Sequence, residues 1–232
     1  DVAGLTSANI GVLDSAQLRM LSTAQLDALT PDQLAGLSST QIASLTTQQI
    51  ASLEAGDLAS LSATQFDGFT TAQITALTTT QVQAMESADL ASLSSDQFRA
   101  LQTDDIAALD PTQVGAIGTA QAAAMTSAQL RAIDAEDMSA LTTDALAAVD
   151  TGQIRGLTSA QLAALTPEQM ASLTAAQMAA MTTDQLAGLA IAFRPNAALL
   201  LVPLARTAAQ RTPTDTPGLR GQRAGTLVVS AG

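Results

Sequence analysis

Apolar and polar positions recur along this chain with a period of eight residues. The pattern runs from position 5 to position 188 through 23 consecutive octads without an insertion or deletion, and residues 157–164 (LTSAQLAA) are typical. The first and sixth positions are apolar in every octad, although the sixth residue of one is only Ala122. A strict short period predicts a solenoid, in which each unit buries its apolar side against its neighbours.

Each octad also has the features of a helix N-terminus. The second position is Thr, Ser or Asp in 19 octads, and the fifth is Gln in 17, with Asp or Asn in five more. In residues 157–164, Thr158 therefore lies at the N-cap and Gln161 at the third helical position, which is the spacing of a capping box. Leu157 and Leu162 occupy the two ends of a hydrophobic staple. The pattern predicts that a new helix begins in every octad.

Three further features agree with this register. The prolines of the repeat all occupy the third octad position, the first helical residue, where proline is favoured: Pro31, Pro111 and Pro167. The eighth position is Ala, Ser or Gly in 21 octads, which predicts close backbone approach at each corner. Where the fifth residue is Asp, the second is neither Thr nor Ser, which indicates an alternative acidic cap that the helix dipole favours: Glu54 with Asp57, Glu86 with Asp89, Gln102 with Asp105, and Asp134 with Asp137.

Two other architectures fit the pattern less well. On a single long helix, eight residues at about 100° each would make the apolar stripe drift by about 80° per octad, so that no single side would be buried. On a strand, the first and sixth positions would point to opposite sides. We therefore predict an all-α solenoid of short helices, about one and a half turns each, one per octad. Three helices per coil is the geometric preference, although no 24-residue superperiod is visible in the sequence.

The octads divide the chain into three segments. Residues 1–188 are the predicted octapeptide-repeat solenoid, with Gly188 as the glycine that ends the last helix. At the usual helix packing distance of roughly 8–10 Å per coil, the rod would be on the order of 60–80 Å long. Residues 189–206 are apolar and are interpreted as a C-terminal cap or a docking segment. Residues 207–232, rich in Thr, Pro, Arg and Gly, are expected to form a flexible basic linker.

Charge and composition limit the partners. The net charge is −12, but residues 5–188 contain 19 acidic residues and four arginines, whereas the segment from 189 contains five arginines and Asp215. An acidic rod is unsuited to nucleic acid and is repelled by anionic membrane surfaces. No apolar run approaches the ~18 residues of a membrane span. The chain contains no Cys, His, Lys, Trp or Tyr, which excludes disulfides and zinc–sulfur sites.

Candidate chemistry is sparse. Acidic residues cluster at Asp104 and Asp105 and again at Asp134, Glu136 and Asp137, a residue type used in glycoside hydrolysis and calcium binding. These acids occupy cap positions, and no segment has the spaced Asp/Asn-plus-Gly pattern of a calcium loop. We therefore expect no enzyme and no catalytic, cofactor-binding or metal-binding residues.

Two surface positions were also considered. The Thr residues at the second position could form a water-ordering array of hydroxyls, but capping would occupy those hydroxyls. The seventh position varies most, with residues such as Arg19, Thr75 and Gln83 among many alanines. We expect the seventh position to form the outer, partner-facing surface.

The motif Leu-Thr-x-x-Gln-Leu/Ile-x-x, present in residues 45–52 and 165–172, resembles the tandem octapeptide repeats of large proteobacterial surface or secreted proteins, some of them adhesin-like. The resemblance implies a spacer or adhesion role outside a bacterial cell. The expected function is a structural or interaction rod, such as a stalk, spacer, adhesin segment or filament unit. The alternative is a protein- or peptide-binding solenoid. Expected partners are other copies, through end-to-end self-association, or another protein. Because the chain begins with Asp1, we expect a fragment or processed product without its signal peptide.

Overall fold

The computed structural model describes residues 4–192, and this part of the chain is helical with no strand. It contains one short helix per octad, 23 in all within the described range. One of them, Ala135–Ala140, is a 3-10 helix. The others are the α-helices Ser7–Gly11, Ser15–Met20, Thr23–Asp27, Pro31–Ala35, Ser39–Ser44, Thr47–Ser52, Ala55–Ala59, Ala63–Phe66, Thr71–Thr75, Thr79–Ala84, Ser87–Ser92, Ser95–Arg99, Thr103–Ala107, Pro111–Gly115, Thr119–Ala124, Ser127–Ala132, Thr143–Ala148, Thr151–Gly156, Ser159–Ala163, Pro167–Ser172, Ala175–Ala180 and Thr183–Ala192. The predicted all-α architecture of one short helix per octad is confirmed.

The start of each helix is set by the predicted local interactions. Before the helix Ser159–Ala163, Thr158 has an extended backbone with φ −77° and ψ 157°. Its Oγ1 accepts a hydrogen bond from the backbone N–H of Gln161 at 3.1 Å, and its own N–H donates to Gln161 Oε1 at 2.9 Å. The same reciprocal pair joins Thr46 and Gln49. These bonds satisfy two backbone donors that a helix start leaves free, as the capping-box prediction required.

The end of each helix follows from the next octad. The backbone N–H of Leu157 donates to the carbonyl of Ile154 at 3.2 Å, which closes the last turn. Leu157 itself is extended, with φ −66° and ψ 145°, and the next capping residue follows immediately. The chain therefore changes direction at the octad boundary.

Helices that pack against each other are three octads apart. Thr119–Ala124 packs against Thr143–Ala148, and Ser159–Ala163 packs against Thr183–Ala192. One coil of the solenoid therefore has three helices and 24 residues, as predicted, and its cross-section is triangular. Each octad lies on the same face of the rod as the octad 24 residues further along.

The core is built from the first and sixth positions of the octads. The sixth residues from Ile10 to Leu162 are buried, and the first residues are buried from Leu29 to Met181. Phe66 and Phe69, the sixth position of one octad and the first of the next, stack with ring centroids 5.3 Å apart. A helix of five or six residues is too short to be stable alone in water, so this continuous core must hold the helices in place.

The eighth position faces the preceding coil. A Cβ placed on Gly156 would lie 2.9 Å from the Cβ of Ser127, which is the third residue of the octad one coil earlier. The predicted close approach at the eighth position is confirmed. The two large eighth residues, Val12 and Met20, are 79% and 84% exposed. Both belong to the first coil, which has no earlier coil within the described residues.

The expectation that Gly188 ends the last helix is wrong. The helix Thr183–Ala192 continues through Gly188, and Leu189 is fully buried. The helix continues because Ala190 occupies the position where other octads carry a capping side chain. A Cβ on Gly188 would collide with the side chain of Ser159, so glycine is needed here for packing. The rest of the predicted cap, to residue 206, and the predicted linker 207–232 lie outside the described residues.

The predicted alternative cap is confirmed only in part. The backbone N–H of Gln102 donates to Asp105 Oδ2 at 2.9 Å, so the bond from the fifth residue back to the cap is present. The side chains of Glu54, Glu86 and Asp134 form no capping hydrogen bond to their helices. The acidic octads therefore begin with fewer local hydrogen bonds than those with Thr and Gln.

Candidate functional site

The glutamine at the fifth octad position is the main polar group inside the rod. Gln161 is 2% exposed, and its Oε1 takes part in the capping box. Its Nε2 donates in the other direction, to the carbonyl oxygens of Leu130 at 3.2 Å and Ile133 at 2.7 Å. These carbonyls lie 31 and 28 residues earlier, at a corner of the preceding coil. One amide therefore caps its own helix and ties its coil to the previous one.

This contact recurs along the described residues and forms a glutamine ladder. Its members share an Nε2 that donates to carbonyls 28 to 31 residues earlier. They are Gln33, Gln41, Gln49, Gln65, Gln73, Gln81, Gln97, Gln113, Gln121, Gln129, Gln153, Gln161, Gln169, Gln177 and Gln185. The acceptors are carbonyls at the ends of short helices, where intrahelical donors run out. The ladder therefore supplies donors that the solenoid geometry requires.

The ladder contributes to cohesion between coils. A neutral hydrogen bond adds about 1 kcal/mol net, whereas a buried polar group without a partner costs about 1–3 kcal/mol. Within residues 4–192, every buried side-chain nitrogen and oxygen has a partner. The glutamines can therefore be buried without an uncompensated amide.

The capping role of these glutamines was predictable, but their contact with the preceding coil was missed. One signal in the sequence could have revealed it. No octad has Glu at the fifth position, although Glu fits a capping box as well as Gln does. A preference for the amide indicates that a donor is needed in addition to the acceptor.

The outer surface differs from the expected one. The fourth position is exposed in every octad. Polar residues at the seventh position instead contact the following coil: Arg19 Nε donates to the carbonyl of Ser44 at 2.7 Å, and Thr75 Oγ1 donates to that of Ala100 at 3.0 Å. Gln83 forms a similar bond to the carbonyl of Ala108. The seventh position therefore has a structural role, and the fourth position is the consistently outward one.

The three faces of the rod differ in charge. We define the acidic face as the octads that begin at 13, 37, 61, 85, 109, 133, 157 and 181. It has nine of the 19 acidic residues of the octads and one arginine, whereas the face whose octads begin at 21 has four acidic residues and one arginine. The nine acids are Asp14, Asp67, Glu86, Asp89, Asp110, Asp134, Glu136, Asp137 and Asp184. Negative charge is thus concentrated on one side.

Some of these carboxyl groups repel one another. Burial raises the pKa of Asp137, and the nearby charges of Asp134, Glu136 and Asp110 raise it further. The pKa of Asp89 is likewise raised by burial and by Glu86. Both shifts mean that the folded protein holds these carboxylates at a cost in free energy at neutral pH.

The acids singled out in the sequence do not converge on a reaction centre. Asp104 is exposed, whereas Asp105 is 1% exposed and accepts a hydrogen bond from Thr79 Oγ1 at 3.0 Å. Between residues 4 and 192, no group of three or more acidic side chains is arranged to hold a metal ion. In the same range, no helix has the length and apolar character needed to cross a bilayer.

Comparison with known proteins identifies the repeat. A family model described as the ALTTAQ repeat matches residues 1–31, 10–47, 50–86, 82–119 and 143–175. The letters correspond to the eighth position of one octad and the first five of the next, as in residues 76–81 (ALTTTQ). No curated protein matches the chain. Since the matches cover well over half of the chain, it belongs to the ALTTAQ repeat family.

Proposed function

We propose that this chain is a structural rod without catalytic activity, used as a stalk, spacer, adhesin segment or filament unit. The observation that carries the proposal is the glutamine ladder, because its hydrogen bonds join successive coils along the length of the rod. Every repeat thus contributes its buried groups to cohesion between coils. Many of the outward fourth positions are Ala, Thr or Gly, which offer little for selective recognition.

A length experiment tests the spacer role. Duplicating residues 149–172, a coil whose three fifth positions are all Gln, should lengthen the particle by roughly 8–10 Å, the usual helix packing distance. The cross-section measured by small-angle X-ray scattering should not change. A particle that becomes thicker, or that unfolds, on adding one coil would contradict a modular spacer.

The setting we propose is outside a bacterial cell, at its surface or as a secreted protein. The proposal rests on the resemblance of the octad motif to the repeats of large surface and secreted proteins. Antibody labelling of intact cells of the native bacterium provides the test. Labelling before permeabilisation supports this setting, whereas labelling only after permeabilisation would rule it out.

A protein- or peptide-binding solenoid is the second candidate, and the acidic face is the observation that favours it. Concentrated negative charge on one side suits a basic partner, whose binding would weaken with salt. The test is titration of a basic peptide against the chain at low and high ionic strength. The matched variants neutralise Glu86, Asp110 and Glu136 on the acidic face or Asp96, Asp144 and Glu168 on the least acidic one. Equal loss of binding in both variants would argue against a dedicated surface.

A further inference from the structure

The glutamine ladder is unevenly distributed among the coils. The coil 149–172 has three ladder glutamines, Gln153, Gln161 and Gln169. The coil 125–148 has only Gln129, because the next two fifth positions are Asp137 and Ala145. A carboxylate has no hydrogen to donate, and alanine has no polar group. Two of the three ladder contacts to the coil 101–124 are therefore missing.

No other junction between coils lacks two contacts in the described residues. The coils 53–76, 77–100 and 101–124 each lack one, at Asp57, Asp89 and Asp105. Asp105 partly compensates, since it accepts the hydroxyl hydrogen of Thr79 in the preceding coil. We name the junction between the coils 101–124 and 125–148 the depleted junction.

The helix at the depleted junction is also locally weak. Ala135–Ala140 is the one 3-10 helix among the helices described above, and its N-cap Asp134 forms no capping hydrogen bond. Hydrogen-bond geometry is poorer in a 3-10 helix than in an α-helix. The carboxylates of Asp134, Glu136 and Asp137 lie within this single octad, and their repulsion raises the pKa of Asp137 after burial has done so. Local stability is therefore low at this point.

On its other side, the same segment is firmly attached. Gln161 Nε2 donates to the carbonyl of Ile133 at 2.7 Å, and Gln169 Nε2 donates to that of Met138 at 2.9 Å. Gln177 Nε2 donates to the carbonyl of Leu146 at 3.0 Å. Residues 133–148 are thus tied to the following coil but poorly tied to the preceding one, which gives the weakness a direction.

We propose that the depleted junction is a hinge built into the rod, where the coil 125–148 separates from the coil 101–124 before any other junction opens. In a repeat array, stability is roughly the sum of unit and interface contributions, so the weakest interface opens first. The two parts of the rod stay folded on either side because their own ladder contacts persist. The hinge does not depend on whether the rod acts as a spacer or as a binder.

Hydrogen–deuterium exchange of the full chain tests the hinge. Peptides from residues 133–148 should exchange faster than the corresponding peptides of the coil 149–172. The double variant Asp137→Gln, Ala145→Gln restores both ladder positions and should slow this exchange by on the order of tenfold, the effect of a few added hydrogen bonds. Introducing the same defect elsewhere, with Gln161→Asp and Gln169→Ala, should move fast exchange to the junction before residue 149.

A matched control separates missing donors from charge repulsion. The variant Asp137→Asn, Ala145→Ser removes the negative charge but does not extend the side chain to the carbonyls of the preceding coil. It should slow exchange less than the glutamine variant. Uniform exchange along the unmodified rod, or equal slowing by the two variants, would overturn the hinge as an effect of the missing glutamines.

Discussion

At the scale of single residues, the fifth-position glutamine combines a local and a long-range contact. Gln161 Oε1 accepts the N–H of Thr158, three residues away, and Nε2 donates to Ile133, 28 residues away. The local contact was predicted from the spacing of Thr and Gln. The long-range contact was not, because its partner depends on how many octads close a coil.

Replacing the amide with a carboxylate separates these two contacts. Gln161→Glu keeps an acceptor for the capping box but removes the donor to Leu130 and Ile133, so we expect a loss of about 1–3 kcal/mol in the free energy of unfolding. Gln17→Glu is the matched control, because Gln17 is exposed and lies in the first coil; its effect should stay within about 0.5 kcal/mol. Denaturant melts measure both. Equal losses would show that the donor is unimportant.

Truncation of a sixth-position leucine tests the core. Leu162 is fully buried, so Leu162→Ala should cost about 2–5 kcal/mol through lost burial and a residual cavity. Leu186 also occupies a sixth position but is 42% exposed, and Leu186→Ala should cost clearly less. Thermal melts of the two variants provide the comparison. A neutral Leu162→Ala would contradict the core assignment.

At the scale of the helix, each element is defined by its first residues rather than by its length. Octads with Thr and Gln begin with two reciprocal hydrogen bonds, as at Thr158, whereas Glu86 and Asp134 begin helices without a side-chain cap. The sequence predicted where every helix starts because a capping box lies within four residues. It did not predict which acidic octads would retain half of that box.

The acidic octads make stability depend on pH. The pKa values of Asp57, Asp89 and Asp137 are raised in the folded state, first by burial and then by neighbouring carboxylates. The folded protein therefore binds these protons more tightly than the unfolded chain does. The resulting stabilisation is complete below the ordinary Asp pKa and is lost as the pH rises through the raised values.

We accordingly expect a higher melting temperature at about pH 5 than at pH 7, within the range where shifted carboxyl groups titrate. The triple variant Asp57→Asn, Asp89→Asn, Asp137→Asn should reduce this difference. Calorimetry across this pH range is the measurement. A melting temperature that falls steadily from pH 7 to pH 5 would contradict the sign derived from the raised pKa values.

At the scale of the whole molecule, a residue's role depends on its coil as well as on its octad position. The eighth position tolerates Val12 and Met20 in the first coil, where they are exposed, but is small in all later octads. Later coils pack against an earlier one, and Gly156 approaches Ser127 closely for that reason. The first coil therefore presents an apolar end within the described part of the rod.

A size-swap experiment tests this positional rule. Gly156→Met should destabilise the protein by about 1–3 kcal/mol, because overpacking displaces neighbouring atoms such as those of Ser127. Met20→Gly, the reverse change in the first coil, removes an exposed side chain and relieves no such contact. It should cost less, mainly the roughly 0.5–1 kcal/mol of glycine in a helix. Chemical denaturation compares the two, and a tolerated Gly156→Met would show that the coils are not closely packed there.

By itself, the sequence determined the octad, the helix starts and the core positions. These features arise from interactions within about five residues, such as Thr158 with Gln161, whose geometry does not depend on the rest of the chain. Only the tertiary structure decided which carbonyls the glutamines reach, which side of the rod collects the acids, and that the last helix passes through Gly188. Those outcomes depend on the corner angle repeated from octad to octad, because closing a coil after three helices is what brings residues 24 to 31 positions apart into contact.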